Sequence, residues 1–111
     1  RFQSDWELLQ KQGALVCIVP GAFNMTTGPA HWELLFRGRA VDNQLFMVGG
    51  SPARNLAFSY HAYGHSLVAD PWGSVLTQLG FEEEVAVVTV DLDRVASVRR
   101  QIPILTPPVT E

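Results

Sequence analysis

Apolar and polar positions change their period several times along this chain, and each change predicts an element. Ser4, Asp5, Trp6 and Glu7 have the form of a capping box, in which Ser4 accepts from the Glu7 backbone N–H and Glu7 reaches back to that of Ser4. Such a cap is worth about 1 kcal/mol. The helix it starts should run to about Gln12 and stop at Gly13, where a left-handed residue is tolerated. Residues 14–19 (ALVCIV) show no alternation, which predicts a strand buried on both faces. Gly28 and Pro29 then open a second helix, with Pro29 tolerated in the first turn because its missing N–H is not needed there. Trp32, Leu35, Phe36 and Ala40 share one face of it, and it ends near Asp42 and Asn43.

Residues 44–50 are the next apolar strand. A helix between two apolar strands predicts a crossover and parallel pairing. Residues 51–64 read as a loop and residues 65–69 as a strand. Asp70, Pro71 and Gly73 hold the first, second and fourth positions of a type I turn, after which residues 74–79 return as a hairpin. Residues 84–90 predict another strand. Asp91 then caps a last helix with Leu92, Val95, Val98 and Ile102 on one face and Pro103 at its end. Residues 104–111, with Pro107 and Pro108, read as an extended strap. The sum is a mixed α/β chain of about five strands and three helices. If the helices cover one side of the sheet, the other side is a large apolar face in need of a covering layer. A chain expressed without that layer should aggregate or dimerise through the sheet.

Composition narrows the picture. A chain of 111 residues makes one small domain, and 47% hydrophobic with 17% charged residues describes an ordered globular protein. The net charge of −3 provides no basic footprint, so no nucleic-acid partner is expected. The longest uncharged stretch, residues 13–32, is broken by Pro20, Gly21, Gly28 and Pro29, so no membrane span is expected either. No basic segment precedes an apolar one, as a signal peptide would require. The single cysteine excludes an internal disulfide framework and fits a reducing compartment.

The candidate chemistry is sparse. Cys17 is the lone thiol, but it stands among Leu15, Val16, Ile18 and Val19, which suits a core residue better than a nucleophile. His31, in the first turn of the second helix, either meets a ligand or packs locally. His61 and His65 are four apart near Asp70, but Gly64 and the strand pattern argue against the helix on which such a pair would bind metal, so no metal is expected. Ser66, His31 and Asp70 make a triad only on paper, since no Gly-x-Ser-x-Gly elbow surrounds any serine. Arg37, Arg39 and Asp42 suit ion pairs at a helix end. Arg54 is a loop cation that would suit either a substrate carboxylate or turn and subunit contacts. The polar loop after the first strand has the form of a ligand-facing segment.

Several motifs together say more. They are PGAFNMTTGPAHWELL (residues 20–35), RGRAVDNQ (37–44), SPAR (51–54), GHS (64–66) and DPWG (70–73). In these the chain resembles the carbon–nitrogen hydrolase, or nitrilase, superfamily, and most closely its omega-amidase branch. The likeness runs from residue 1 to about residue 104 without gaps. Gly38 departs from it, standing where the family commonly has alanine, which removes a methyl group and about 1 kcal/mol of helix propensity.

The resemblance implies a four-layer α-β-β-α sandwich, of which residues 1–104 would be the C-terminal part and residues 105–111 an extended tail. It also implies a cysteine, a glutamate and a lysine acting together without a cofactor. The thiolate attacks an amide carbonyl, the glutamate moves protons and the lysine stabilises the tetrahedral intermediate. In the family the nucleophile lies in a Cys-Tyr-Asp-x segment directly before an Arg-Phe pair. Arg1 and Phe2 match that pair, so the nucleophile is expected four residues upstream of Arg1, and Cys17 matches a strand position instead.

By the same resemblance Phe23, Asn24, Thr26 and Thr27 would line a substrate pocket. Thr27 or Arg54 would meet the carboxylate of a dicarboxylic half-amide such as 2-oxoglutaramate or 2-oxosuccinamate. The intact enzyme would be a homodimer with a small-molecule amide substrate, cytoplasmic or mitochondrial, and residues 1–111 alone would be inactive. The alternative is a non-catalytic remnant that binds a full-length amidase subunit.

Overall fold

The computed structural model describes residues 2–105. The tail expected over residues 105–111 therefore lies, apart from Leu105, outside the described residues. Helix α1 (Gln3–Lys11) packs against helix α2 (Glu33–Asn43), which a π-helical turn (Gly28–Trp32) introduces. Strands β1 (Val16–Pro20), β2 (Phe46–Gly50), β3 (Leu67–Ala69) and β4 (Val75–Gln78) form a sheet in that order. Helix α3 (Asp93–Gln101) follows.

The pairing expected of the strand–helix–strand unit is present. β1 and β2 run parallel, with Cys17 opposite Met47 and Pro20 opposite Gly50. β2 and β3 are antiparallel, as are β3 and β4, with an irregularity between Val68 and Ala69. The Asp70 turn that joins β3 to β4 closes as its sequence requires. The Gly73 N–H donates to the Asp70 carbonyl at 2.9 Å, and the Asp70 carboxylate accepts from the Trp72 and Ser74 N–H groups at 2.9 Å each. Arg37 Nε closes the same turn from α2, donating to the Gly73 carbonyl at 2.7 Å.

Alternation along the strands sorts the two faces of the sheet. Cys17, Met47, Leu67 and Ala69 meet Trp32, Phe36 and Ala40 of the turn and α2 in one core, with Leu45 at the corner before β2. The opposite face carries Ile18, which is 75% exposed, and also Phe46 and Val68, which are buried. The first strand is thus buried on one face within this chain and open on the other, where the unalternating sequence predicted burial on both. A run such as ALVCIV marks two apolar faces, but each needs a layer to cover it. Mixed α/β layering, with the second face of the sheet uncovered at Ile18, is half of an α-β-β-α sandwich. The described chain is correspondingly drawn out, 58 × 27 × 19 Å. Its radius of gyration of 15.2 Å compares with about 13 Å for a compact chain of that length.

Further expectations are corrected. The capping box does not form: α1 starts at Gln3 with Phe2 at its N-cap and no side-chain cap, and Glu7 pairs with Lys11 at 3.0 Å instead. A helix that begins before Ser4 has no N-cap position for its hydroxyl. Residues 84–90 are not a strand among the described residues. Val85 and Val87 are 93% and 94% exposed, and the sheet has four strands where about five were expected. Apolar β-branched residues favour a strand only where a neighbouring strand supplies the ladder.

The helices also do not all serve one core. α1 and α2 stack on it, whereas the buried Val95 and Val98 of α3 lie outside that cluster. α3 is tied to the α2–β2 corner, where Arg99 donates to the carbonyls of Gln44 (3.2 Å) and Asn43 (3.4 Å) and Gln44 Nε2 donates to the Ile102 carbonyl (2.7 Å). Its N-cap is Leu92, without a side-chain cap, and the Asp91 expected there stands one residue earlier, its carboxylate accepting from the Asp93 N–H at 3.0 Å.

Candidate functional site

The loop that leaves β1 starts where two parallel strands end. The Gly21 N–H donates to the Gly50 carbonyl at 2.9 Å and carries the β1–β2 ladder one step further. Ligands of open α/β sheets bind outside the carboxyl ends of parallel strands, so residues 20–28 occupy the position from which a loop faces a ligand. Four of the five candidate residues lie on it.

Asn24 organises the loop from within. Its Oδ1 accepts from the Thr26 N–H (2.9 Å), the Thr27 N–H (2.8 Å) and the Thr27 hydroxyl (3.0 Å). The Gly28 N–H donates to the Asn24 carbonyl at 2.8 Å. An asparagine that gathers the N–H groups two and three residues on is the local device that turns a chain into a helix. It thus leads residues 24–27 into the π-helical turn.

Phe23 anchors the other end. Its ring stands edge-on to Trp32 at 5.0 Å, and Trp32 stands edge-on to Phe36 at 4.7 Å. Trp32 is 1% exposed, and its Nε1 donates to the His65 carbonyl at 2.7 Å, so the indole joins the β1 loop, α2 and the segment before β3. Behind this stack lies an apolar cavity of about 170 Å³ lined by Trp6, Val19, Phe23, Trp32, Phe36 and Met47 among others.

Arg54 lies across from the loop, one residue removed from it. Its Nε donates to the Ala62 carbonyl (3.0 Å) and its Nη2 to the Tyr63 carbonyl (3.1 Å), with the guanidinium 4.3 Å over the Phe81 ring. The Tyr63 N–H in turn donates to the Phe23 carbonyl at 2.7 Å. Arg54 therefore orders residues 62–63, and these hold the loop. Two of its donors are directed at backbone oxygens.

Tyr60 and Tyr63 also hold this loop, though no motif of the sequence singles them out. The Tyr60 hydroxyl donates to the Ala22 carbonyl. The Tyr63 ring lies so close to Gly28 that a Cβ there would stand 2.2 Å from it. Only glycine admits this approach. Both tyrosines lie in a stretch without period. Their one signal is the aromatic content of residues 58–63, which in a loop marks contact with another segment.

The other chemistry-bearing residues are engaged elsewhere or stand apart. Ser66 Oγ donates to the Ser51 carbonyl (3.2 Å) and accepts from the Ser51 N–H (2.9 Å). Asp70 caps its own turn, so the paper triad is not assembled. His65, at φ 63°, stacks on Tyr63 at 3.9 Å with Nδ1 2.7 Å from the Tyr63 carbonyl oxygen. Arg39 Nη1 lies 4.0 Å from the Asp42 carboxylate. Among the described residues no three of His, Cys, Asp and Glu converge as a metal would need. The Cys17 thiol is buried in the core, and burial pushes its pKa up, away from the reactive thiolate.

This strand–loop–helix lies on one half of an α-β-β-α sandwich. The family model for carbon–nitrogen hydrolases matches residues 1–100, and the chain belongs to that family. Within it the likeness is to omega-amidases. The chain is 54% identical over 104 residues to omega-amidase NIT2 of Danio rerio and 52% identical over 105 residues to that of Mus musculus. These matches take in 94% and 95% of this chain but 38% of each relative. Among solved structures, Saccharomyces cerevisiae Nit3, a member of branch 10 of the nitrilase superfamily, superposes with a TM-score of 0.92 at 46% identity, over 96% of this chain and 39% of that one. The chain thus spans well under half the length of the relatives it matches.

Proposed function

We propose that this chain is part of an omega-amidase-type hydrolase that cleaves the amide C–N bond of dicarboxylic half-amides of the 2-oxoglutaramate or 2-oxosuccinamate type. The nucleophilic cysteine, the glutamate and the lysine of that enzyme lie outside residues 1–111. The thiolate adds to the amide carbonyl and the lysine steadies the oxyanion. The C–N bond breaks as the nitrogen takes a proton through the glutamate and leaves as ammonia. Water then adds to the thioester, the C–S bond breaks, and the acid and the thiol are released. The part of this chain is to present the loop 23–27, with Phe23, Asn24, Thr26, Thr27 and, behind them, Arg54, to the substrate. The intact enzyme is proposed to be a homodimer of the cytoplasm or mitochondrion.

The observation that carries this reading is a braced loop at the carboxyl ends of β1 and β2, in a chain about half identical to omega-amidases. The test is ammonia release from 2-oxoglutaramate and 2-oxosuccinamate by the full-length gene product and by residues 1–111 separately. Turnover by the first and none by the second is expected. A folded full-length product that turns over neither half-amide refutes the reading.

A second reading rests on the exposure of the apolar Ile18 on the second face of the sheet. There the chain is a non-catalytic remnant that binds a full-length amidase subunit. Recovery of such a subunit on immobilised residues 1–111 would support it, and failure to recover any would remove it.

A further inference from the structure

The backbone of the β1 loop is held peptide by peptide. The Gly21 N–H is fixed to Gly50, the Phe23 carbonyl to the Tyr63 N–H, and the Asn24 carbonyl to the Gly28 N–H. Between them the Ala22 carbonyl is held by a side chain from a distant segment, the Tyr60 hydroxyl. We propose that Tyr60 is a positioning residue for the amide-binding loop, its hydroxyl setting the orientation of the Ala22–Phe23 peptide and with it the aim of residues 23–27. This deepens the function proposed above and rests on it.

The neighbouring anchors make Tyr60 the adjustable one. Tyr63 acts through its backbone N–H, and Arg54 secures that backbone by two hydrogen bonds at residues 62–63. Tyr60 reaches the loop from a stretch where Leu56, Phe58 and Tyr60 are all exposed, so no core packing fixes it. Its hydroxyl is therefore the side-chain bond by which this loop holds the candidate site, beside the backbone bond from Tyr63 to Phe23. Loss of that bond frees the Ala22 carbonyl while the strand below and Tyr63 above stay in place. A neutral hydrogen bond of this kind shifts an equilibrium by roughly fivefold.

The experiment compares Tyr60→Phe with the wild type in the full-length gene product, and uses Phe58→Ser, on the same exposed loop, as a control. Two readouts are taken: kcat and KM for 2-oxoglutaramate, and hydrogen exchange of the backbone amides of residues 22–28. For Tyr60→Phe, KM is expected to rise about fivefold with kcat within about twofold, and exchange at Thr26 and Thr27 to quicken by a similar factor. Phe58→Ser should move neither. An unchanged KM with unchanged exchange overturns the proposal, as does an equal effect from Phe58→Ser, which would make the order of the whole exposed loop responsible. If the wild type turns over no half-amide, the function proposed above fails, and the exchange readout still decides the role of Tyr60.

Discussion

Two apolar segments of this chain look alike in sequence and differ in structure. Residues 14–19 and residues 84–90 are both short, rich in valine and free of proline. The first becomes β1, pairs with β2 along five residues, and feeds a loop held by Asn24, Tyr60, Tyr63 and Trp32. The second stays outside any helix or strand, with Val85 and Val87 in the open. The difference is the partner. β1 is followed by a helix that returns the chain beside it, so its neighbour is supplied within about thirty residues of sequence. Residues 84–90 have no such return before α3 begins at Asp93. Strand propensity is a capacity for pairing and is realised only when a ladder is offered.

The largest effect should come from the hub of the braced region. Trp32→Ala removes a fully buried indole, its two edge-on ring contacts and its bond to the His65 carbonyl. A loss of about 4 kcal/mol is expected from urea unfolding of the full-length product. A loss under about 1 kcal/mol would mean that the loop and α2 do not depend on this stack.

The comparison itself is tested at Val87. On the proposed reading that this chain is part of a longer amidase, residues 84–90 should acquire in the full-length product the neighbour they lack here. Val87→Asp should then cost about 2 kcal/mol, because a carboxylate would be placed where a layer closes. A change within about 0.5 kcal/mol would show that the segment remains a solvated strap and that its apolar character has another cause.

A smaller, pH-dependent effect belongs to β1. Burial raises the Cys17 thiol above its ordinary value of 9.0, so the folded state holds this proton more strongly than the unfolded chain does. The stability this contributes is complete below the unfolded value and is lost as pH rises through the folded one. The urea midpoint should therefore be flat on this account between neutral pH and the ordinary thiol range and fall above it. In Cys17→Ala that alkaline fall should be reduced. Equal slopes in the two proteins would show that the thiol is not the group responsible.

The smallest effect is expected at Ser4. Its capping role is absent, so Ser4→Ala should change stability by less than about 0.5 kcal/mol, against the 1 kcal/mol or so of a working cap. A full capping loss would place the start of α1 at Asp5, two residues later, and restore the capping box.

The sequence by itself determined the parts whose causes are local. The parallel β1–α2–β2 unit, the Asp70 turn, the stop at Gly13 with φ 97° and the Trp32–Phe36–Ala40 face all follow from periods and turn residues within a few positions of one another. The family motifs were legible for the same reason, being contiguous. What only the tertiary structure decided depends on residues far apart in the chain. No period in residues 51–64 announces that Tyr60 grips Ala22, that Tyr63 stands against Gly28, or that Arg54 directs two donors at carbonyl oxygens. Nor does any local rule say that Ser4 lies inside its helix, or that residues 84–90 go unpaired. A cap needs its residue at the boundary, a strand needs a neighbour, and both conditions are set by where the rest of the fold lies.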